Sequence, residues 1–343
     1  MNDIHIRIEG RAGRITLNRP AALNALTYDM VLAIETAIDG WRTADVDLVM
    51  IDGAGDRAFC SGGDIADMYR SGQEGDLTYG RQFWRDEYRL NAKLFEYPKP
   101  VVSFLQGFTM GGGVGVGCHG SHRIVGESSQ IAMPECGIGL VPDVGGSLML
   151  ALCPGHLGEY LGLTGTRMGA ADAIYAGFAD GFIPEADWDA IKARLIEGNI
   201  SAVKYQTPPE GRLRAMQGDI DLHFSGATLV DIEHGLQSDA SKFAADTRKV
   251  LGRHAPLAMG CCMQIVRHLR GADSIRTALE QEYRFTHRAV AQGDFIEGIR
   301  AAIIDKDRSP KWAHARISDL SNDDVNDMLM PLGADALTWE KTL

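Results

Sequence analysis

The stretch that most limits how this chain can fold is GFTMGGGVGVGCHG, residues 107–120, where glycine is the commonest residue. Glycine has no side chain, so other atoms can approach its amide closely, and it adopts backbone angles that other residues avoid. If a helix begins near Val114, the amides of residues 111–113 lie at its N-terminus and point at developing negative charge, which is how an oxyanion hole is built. Close packing through small residues is the alternative that the spacing leaves open.

The same stretch contains the pattern G-x-G-x-x-G at residues 115–120. A dinucleotide-binding fingerprint requires that pattern directly after a strand and at the start of a helix. Here the buried strand predicted for VVSFL ends at Leu105, well before the pattern, and other glycines fill the gap. The context therefore argues against an NAD site.

A second glycine cluster, AFCSGGD at residues 58–64, follows the apolar run DLVMIDG and precedes a predicted helix from Ile65. We expect Asp64 to cap that helix, which leaves the amides near Gly62 and Gly63 available. Two amide donors that converge on one oxygen are what acyl-transfer chemistry needs.

Two acids, Glu135 and Asp143, stand in the apolar and glycine-rich stretch MPECGIGLVPDVGG, residues 133–146, with no lysine or arginine beside them. They are either exposed loop residues and helix caps, or carboxylates that face one reaction centre. In the second case two close carboxylates in an apolar pocket raise the pKa of one of them, and a shared proton is expected.

Apolar runs and helical spacings alternate through the first half of the chain, which predicts an α/β fold. Beyond about residue 185 strand patterns end, and helical periodicity dominates in segments such as PLAMGCCMQIVRHLRG and SIRTALEQEYRFTHRAVAQ. We therefore predict a core over residues 1–200 and a helical C-terminal region, 201–343, packed on it.

Composition excludes several functions. A net charge of −12 disfavours nucleic acid or an anionic membrane as the main partner. The six cysteines show no zinc spacing and predict free, mostly buried thiols. The N-terminus has no apolar signal-peptide core, and no apolar run is long enough to span a membrane, so we predict a cytoplasmic protein that binds no metal.

Taken together, AFCSGGDI, GFTMGGGVGVGCHG and MPECGIGLVPDVGG resemble, in order and spacing, the crotonase (enoyl-CoA hydratase/isomerase) superfamily. LNRPAALNALTYDM and LTGTRMGAADAIYAGFAD resemble further segments of that family. The resemblance implies a spiral of stacked β-β-α units that binds coenzyme A thioesters and uses no cofactor besides the CoA of its substrate. Members assemble as trimers or hexamers, so a homo-oligomer is expected.

Carried over residue by residue, the resemblance assigns the amides of Gly63 and Gly112 to the oxyanion hole. It places the adenine end of CoA against the backbone of two short segments, Asn24, Ala25 and Leu26, and Ala58, Phe59 and Cys60.

The departures from the common pattern indicate the subfamily. Hydratases of this type carry one glutamate just after the glycine triplet and a second in the M/Q-P-E turn. Here the first position is Gly115 and only Glu135 remains, while Asp143 stands where hydratases typically have glycine. Each positioned acid or base contributes on the order of 10²–10⁴-fold, so simple hydration is not the first expectation.

The segments GGGVG, PDVGG and GDFIEGIRAAIIDKDRSPKW instead resemble 3-hydroxyisobutyryl-CoA hydrolases. That family also carries an F-x-R-[DE]-E-Y segment, matched by FWRDEY, which implies a substrate contact for Glu87 or a structural pairing with Arg85. The implied reaction is hydrolysis of 3-hydroxyisobutyryl-CoA in valine breakdown. The resemblance implies that Glu135 acts as nucleophile or general base with Asp143, and that Gly112, Glu87 and both acids contact the substrate. An enoyl-CoA hydratase or isomerase and a non-catalytic acyl-CoA binder remain the alternatives.

Other candidates carry weaker signals. His119 and His122 lack a recognisable acid or nucleophile partner, so we predict packing roles for them. In the C-terminal segment, Lys306, Arg308 or Lys311 either packs back on the protein, meets CoA phosphates or belongs to a solvated tail.

Overall fold

The strands of this protein alternate between two sheets. The computed structural model describes residues 3–340, and within them strands β1 to β9 are Ile4–Glu9, Ala12–Leu17, Leu48–Gly53, Ala58–Cys60, Val101–Phe104, Phe108–Met110, His122–Val125, Gln130–Ala132 and Gly181–Phe182. The larger sheet has the order β1-β2-β3-β5-β7-β9, and the smaller one β4-β6-β8. Only β1 and β2 pair antiparallel; every other strand pair described is parallel.

From β3 to β8 the chain adds one strand to each sheet in turn, so consecutive strand pairs stack as a spiral of β-β-α units. The predicted fold class is thereby confirmed. The central strands β3 and β5 are apolar runs buried along almost their whole length, as parallel strands covered on both faces must be.

Helices connect and cover the strands. Helices α1 to α15 are Tyr28–Trp41, Ala66–Gln73, Thr78–Phe95, Gly112–Gly117, Gly146–Ala151, Leu157–Thr164, Ala170–Tyr175, Trp188–Ile196, Leu213–Phe224, Leu229–Gln237, Lys242–Leu251, Pro256–His268, Ile275–Gln292, Phe295–Ile299 and Asn322–Leu329. Among the described residues no strand follows Phe182, which confirms the predicted helical C-terminal region. No helix in this part of the chain is long and apolar enough to cross a membrane.

Two helix boundaries differ from the sequence prediction because local caps override the apolar periodicity. The apolar spacing of AALNALTYDMVLAIETAIDGW predicts a helix from Ala21, but α1 begins only at Tyr28, where the Thr27 side chain accepts a hydrogen bond from the Met30 amide. The spacing of GLQSDASKFAADTRKVLG predicts one helix over residues 235–252, but the chain there forms the end of α10 and then α11, because the Ser241 side chain caps a new helix by accepting from the Ala244 amide.

The chain divides into two compact units, each formed by three stretches of sequence. The first takes the chain up to Asp64 with residues 86–132 and 167–214, and the second takes residues 65–85, 133–166 and the chain from Ala215 onward. All nine strands belong to the first unit. The predicted regions 1–200 and 201–343 are each one continuous stretch of sequence, whereas each of these units combines three separate stretches. The predicted boundary at residue 200 stays a prediction.

Each unit has its own core. In the first, α8 covers one face of the larger sheet, with Trp188 5.3 Å from Phe104 between ring centroids. In the second, α12 is buried around most of its circumference, as a helix at the centre of a bundle must be. It packs against α5, α6, α13 and α15. This bundle positions the stretch that contains Glu135 and Asp143.

Candidate active site

Two predicted glycine amides lie side by side in the first unit. Gly63 forms an isolated bridge with Leu26, in which Leu26 N donates to Gly62 O at 2.9 Å and Asp64 N donates to Leu26 O at 2.7 Å. This bridge uses the groups on either side of Gly63, so the N–H of Gly63 itself points away from Leu26. A β-carbon built on Gly112 would stand 3.2 Å from the Gly63 nitrogen.

The glycine triplet serves two purposes. Gly111 has φ 50° and ψ −120°, and this turn carries the chain from β6 into α4. A β-carbon on Gly113 would stand 2.3 Å from the Cys60 carbonyl oxygen, so the packing interpretation holds for that residue. Gly112 is the first residue of α4, where no intrahelical acceptor exists. Within residues 3–340 neither Gly63 nor Gly112 donates its N–H to a backbone acceptor.

The prediction that Asp64 caps α2 is wrong. The residue that precedes the helix is Ile65, which makes no side-chain cap bond. The Asp64 carboxylate instead accepts from Arg19 Nη2 at 2.9 Å. An ion pair with a guanidinium stabilises a partly exposed carboxylate more than a single hydrogen bond from a backbone amide does. The pair with Arg19 also anchors the chain just after Gly63.

Glu87 lies next to the amide pair. Its side chain is 3% exposed, and its Oε1 atom is 2.9 Å from the point where a β-carbon would stand on Gly112. Burial raises the pKa of the neighbouring Cys60 thiol to about 12, and the Glu87 charge adds to this effect. Cys60 is therefore a neutral thiol, in line with its predicted packing role. All six cysteines are buried and free, as predicted.

The two segments assigned to CoA by resemblance are tied together by Asn24. Its side-chain amide donates to the carbonyls of Ala54 and Ala58, both at 2.9 Å, and its oxygen accepts from the Arg19 amide at 2.8 Å. Asn24 is fully buried and has φ 55°. The structure thus places Ala25, Leu26, Phe59 and Cys60 on adjoining segments, and contact of their backbone with CoA stays a prediction.

The two acids of MPECGIGLVPDVGG are both buried in the second unit, Glu135 being 5% exposed and Asp143 4%. The interpretation as exposed loop residues is therefore wrong. Burial raises the pKa of Glu135 well above its ordinary value, and the charges of Asp143 and Glu282 raise it further. Its Oε2 atom has no hydrogen-bond partner among the described residues. A protonated or shared carboxyl group is the physical consequence.

The turn that carries Asp143 is strained. The Gly146 amide donates to the Asp143 carbonyl at 2.7 Å, and between them Val144 has φ 53° and Gly145 φ 81°. A β-branched residue in the left-handed region is a genuine outlier that costs of order 1–3 kcal/mol. Such a conformation persists only where the surroundings hold it.

A third acid, missed in the sequence, holds this turn. Glu282 of α13 is fully buried and accepts hydrogen bonds from Gly145 N at 2.9 Å, from Ser147 N at 3.1 Å and from the Ser147 hydroxyl. Burial and the charge of Asp143 raise the pKa of Glu282 to about 8. The sequence does contain a signal, because Glu282 falls on the apolar stripe of α13 between Leu279 and Phe285, where a solvated glutamate has no place.

The C-terminal GDFIEG segment packs against the 3₁₀ turn Glu135–Ile138. A β-carbon on Gly298 would stand 2.1 Å from the Ile138 carbonyl oxygen, and one on Gly139 would stand 2.7 Å from the Asp294 carbonyl. Both glycines are therefore required for close backbone approach. This contact explains why the far C-terminal motif accompanies MPECGIG in the sequence.

The remaining candidates have structural surroundings. His119 is buried edge-on against Phe95, and His122 lies 2.9 Å from the Ser121 hydroxyl, which agrees with packing roles. Gly115 is buried, and its carbonyl accepts from Asn91 Nδ2 at 3.0 Å.

Arg300 holds the segment with Lys306, Arg308 and Lys311 by donating to Glu297, Asp305, Asp307 and the Ser309 carbonyl. The side chains of those three cations are exposed, so the prediction that one of them packs back on the protein is wrong, and contact with CoA phosphates stays a prediction. No group of three or more His, Cys, Asp or Glu side chains in residues 3–340 is arranged to hold a metal ion.

Comparison with known proteins agrees with this site. The model of the enoyl-CoA hydratase/isomerase family matches residues 12–329. A solved structure of an enoyl-CoA hydratase from Rhodobacter sphaeroides superposes with a TM-score of 0.96 at 55% identity over 98% of this chain and 99% of that one. A carnitinyl-CoA dehydratase from Mycobacterium thermoresistibile gives 0.94 at 38% identity over 99% of both chains.

The chain belongs to the enoyl-CoA hydratase/isomerase family, which confirms the resemblance carried by its motifs. Among curated proteins it is similar to 3-hydroxyisobutyryl-CoA hydrolase, mitochondrial, of Gallus gallus, at 35% identity over 96% of this chain and 89% of that protein. The names of these relatives describe different reactions on CoA esters. The cytoplasmic location stays a prediction.

Proposed function

We propose that this protein hydrolyses a short-chain 3-hydroxyacyl-CoA thioester, with 3-hydroxyisobutyryl-CoA as the preferred substrate and 3-hydroxyisobutyrate and CoA as products. One observation carries the proposal. The position after the glycine triplet is the buried Gly115, while Asp143 and Glu135 are buried acids of one unit and the charge of Asp143 acts on Glu135. A hydratase of this family needs an acid at the position of Gly115. The 35% identity to a protein named as this hydrolase supports the same choice.

In the proposed mechanism the peptide N–H groups of Gly63 and Gly112 donate to the thioester carbonyl oxygen. Such donors are most valuable when the oxygen becomes an oxyanion, and the loss of one typically costs about 10²–10³-fold in kcat. Both N–H groups lack backbone acceptors and stand close together, as this role requires.

Two routes then lead to the products. In the first, the ionised Glu135 carboxylate attacks the carbonyl carbon, the C–S bond breaks, the CoA thiolate leaves and takes a proton, and water opens the resulting anhydride. In the second, Glu135 removes a proton from a water molecule that attacks the same carbon, and Asp143 orients that water or the substrate 3-hydroxyl. Both routes consume one water and require Glu135 in its ionised form at the start.

Hydroxylamine distinguishes the two routes. It intercepts an anhydride as a hydroxamate, so mass spectrometry of the peptide with Glu135 shows a modified residue only if the carboxylate is the nucleophile. Turnover in H₂¹⁸O adds a second readout, because label in the Glu135 side chain also requires the anhydride. An unmodified and unlabelled peptide from an enzyme that turns over supports direct attack by water.

A thioester panel tests the function itself. Purified protein is incubated with 3-hydroxyisobutyryl-CoA and other 3-hydroxyacyl-CoA esters, and free thiol is measured with a chromogenic reagent. We expect rapid thiol release that is lost in Glu135→Gln and Asp143→Asn and kept in Glu280→Gln, which removes an exposed carboxylate. If both site variants hydrolysed at the wild-type rate, the assignment would be wrong. The acyl preference measured in this way also tests the implied place in valine breakdown.

An enoyl-CoA hydratase or dehydratase is the second candidate, favoured by the 55% identity to a protein that carries the hydratase name. It predicts loss of the conjugated thioester absorbance of a 2-enoyl-CoA without thiol release. A non-catalytic binder predicts CoA-ester affinity with neither change.

A further inference from the structure

Glu282 is a buried carboxylate that neither route of the proposed mechanism uses. It comes from α13, yet all three of its hydrogen-bond donors lie on Gly145 and Ser147, directly after Asp143. Helix α5 has no side-chain cap of its own, because its N-cap residue is Gly145. A serine or aspartate at the N-cap normally supplies the hydrogen-bond acceptor for the first amides of a helix. Here Glu282 supplies that acceptor from a distant part of the sequence.

We propose that Glu282 is a positioning residue for hydrolysis, which holds the strained Asp143 turn in place. The inference rests on the proposed function and deepens it, because it adds a third acid to the pair Glu135 and Asp143. Glu282 acts through Asp143 and contacts no reacting atom.

The positioning role of Glu282 follows from the backbone of the turn. Val144 has φ 53°, a conformation that valine adopts only where neighbouring hydrogen bonds hold it. The amide immediately after it, Gly145 N, and that of Ser147 are both bound by Glu282, while Gly146 N is bound by the Asp143 carbonyl. These hydrogen bonds fix the backbone of the turn and therefore the direction in which the Asp143 side chain extends from it. A shift of about 1 Å in such a group costs up to about 10²-fold in rate.

A shorter side chain tests the positioning role. Glu282→Asp keeps the carboxyl group and shortens its reach to the Gly145 and Ser147 amides, so kcat falls by about 10–10²-fold while KM changes little. Glu280→Gln, on the exposed face of α13, leaves both kcat and KM unchanged.

A measurement without turnover keeps this inference separate from the proposed function. Hydrogen exchange followed by NMR reports on the Gly145 and Ser147 amides that Glu282 binds, and both are expected to exchange faster in Glu282→Asp than in wild type or Glu280→Gln. Unchanged exchange overturns the inference even if hydrolysis is confirmed. Faster exchange in a protein that releases no thiol overturns the proposed function and leaves the contact between Glu282 and the turn standing.

Thermal unfolding identifies variants that fail to fold. Should Glu282→Asp be one of them, Ser147→Ala removes one donor and keeps the Glu282 carboxyl group, and it is expected to lower kcat about tenfold with little change in KM. A wild-type kcat in both Ser147→Ala and Glu282→Asp contradicts the positioning role.

Discussion

The Oε1 atom of Glu87 lies 2.9 Å from the point where a β-carbon would stand on Gly112. The Gly63 nitrogen lies 3.2 Å from the same point. A carboxylate and two peptide amides thus converge on one position in the first unit, and the space there admits a hydrogen atom and no methyl group. This relationship explains why glycine stands at residue 112.

The first prediction concerns Gly112→Ala. The added methyl displaces Glu87 or the Gly63 amide, so we expect kcat/KM for thioester hydrolysis to fall by about 10²–10³-fold, the effect of an oxyanion donor. Gly40→Ala in α1 is the matched control, because nothing lies within 4 Å of its added β-carbon. That variant keeps full activity and gains up to about 1 kcal/mol in stability. Equal activities of the two variants would exclude the amide pair.

The second prediction concerns Glu87→Gln. The substitution keeps the size of the side chain and removes its charge, so the proposed substrate contact loses a charge-assisted hydrogen bond worth about 1.5–3 kcal/mol. We expect kcat/KM to fall by about 10–10²-fold in steady-state kinetics with 3-hydroxyisobutyryl-CoA. Glu96→Gln, an exposed glutamate just beyond the end of α3, serves as the control. Unchanged kinetics in Glu87→Gln would leave Glu87 a purely structural residue.

The third prediction concerns pH and Glu135. Because its pKa is raised in the folded protein, the native state binds a proton more tightly than the unfolded chain. This contribution to stability is complete below the ordinary glutamate pKa and is lost as the pH rises through the raised folded value. We expect Glu135→Gln to flatten the decline of the unfolding free energy as the pH rises above 4.5 and to add about 1 kcal/mol of stability above the raised pKa. Denaturant unfolding at several pH values measures both effects, and a decline as steep as in wild type would contradict the raised pKa.

The activity profile has the opposite requirement. Both proposed routes need ionised Glu135, so kcat/KM rises with pH through the raised pKa. We expect its acid limb above the ordinary glutamate value of 4.5. A limb at or below that value would show that another group controls the reaction.

The fourth prediction concerns a buried ion pair that supports the helix with Glu87. Arg89 binds both carboxylate oxygens of Glu35, at 2.5 and 2.9 Å. Burial alone raises the pKa of Glu35, but Arg89 and Lys93 outweigh it and lower the pKa to about 2. Arg89→Met leaves the buried Glu35 carboxylate with Lys93 as its remaining cationic partner, so the substitution is expected to cost about 3 kcal/mol in urea unfolding at pH 7.

The acid stability of the wild type follows from the same pair. A lowered folded pKa gives stability that is present above pH 4.5 and is lost as the pH falls towards 2. Glu35→Gln should therefore show a smaller loss over that interval than wild type. An equal loss of stability in Glu35→Gln and wild type would show that other groups cause the acid sensitivity.

Much of the fold was predictable because its signals are local. Apolar runs such as VVSF and LVMI are strands, and the break at residue 185 between α/β and helical patterns is real. The errors lie where another local interaction competes with the pattern. Thr27 caps α1 further along the chain than the apolar spacing predicts, and Asp64 pairs with Arg19 instead of capping α2.

The amino-acid pattern determined the family, the two glycine clusters and the acids Glu135 and Asp143, because each depends on residue types at short spacing. Only the tertiary structure decided which of those residues are adjacent, as for Gly63, Gly112 and Glu87, and that both acids are buried. It alone revealed Glu282, whose partners Gly145 and Ser147 are far away in the sequence. The physical reason is that hydrogen bonds and charge interactions depend on the distance between atoms in space. The number of residues between two positions in the chain does not give that distance before the helices have packed.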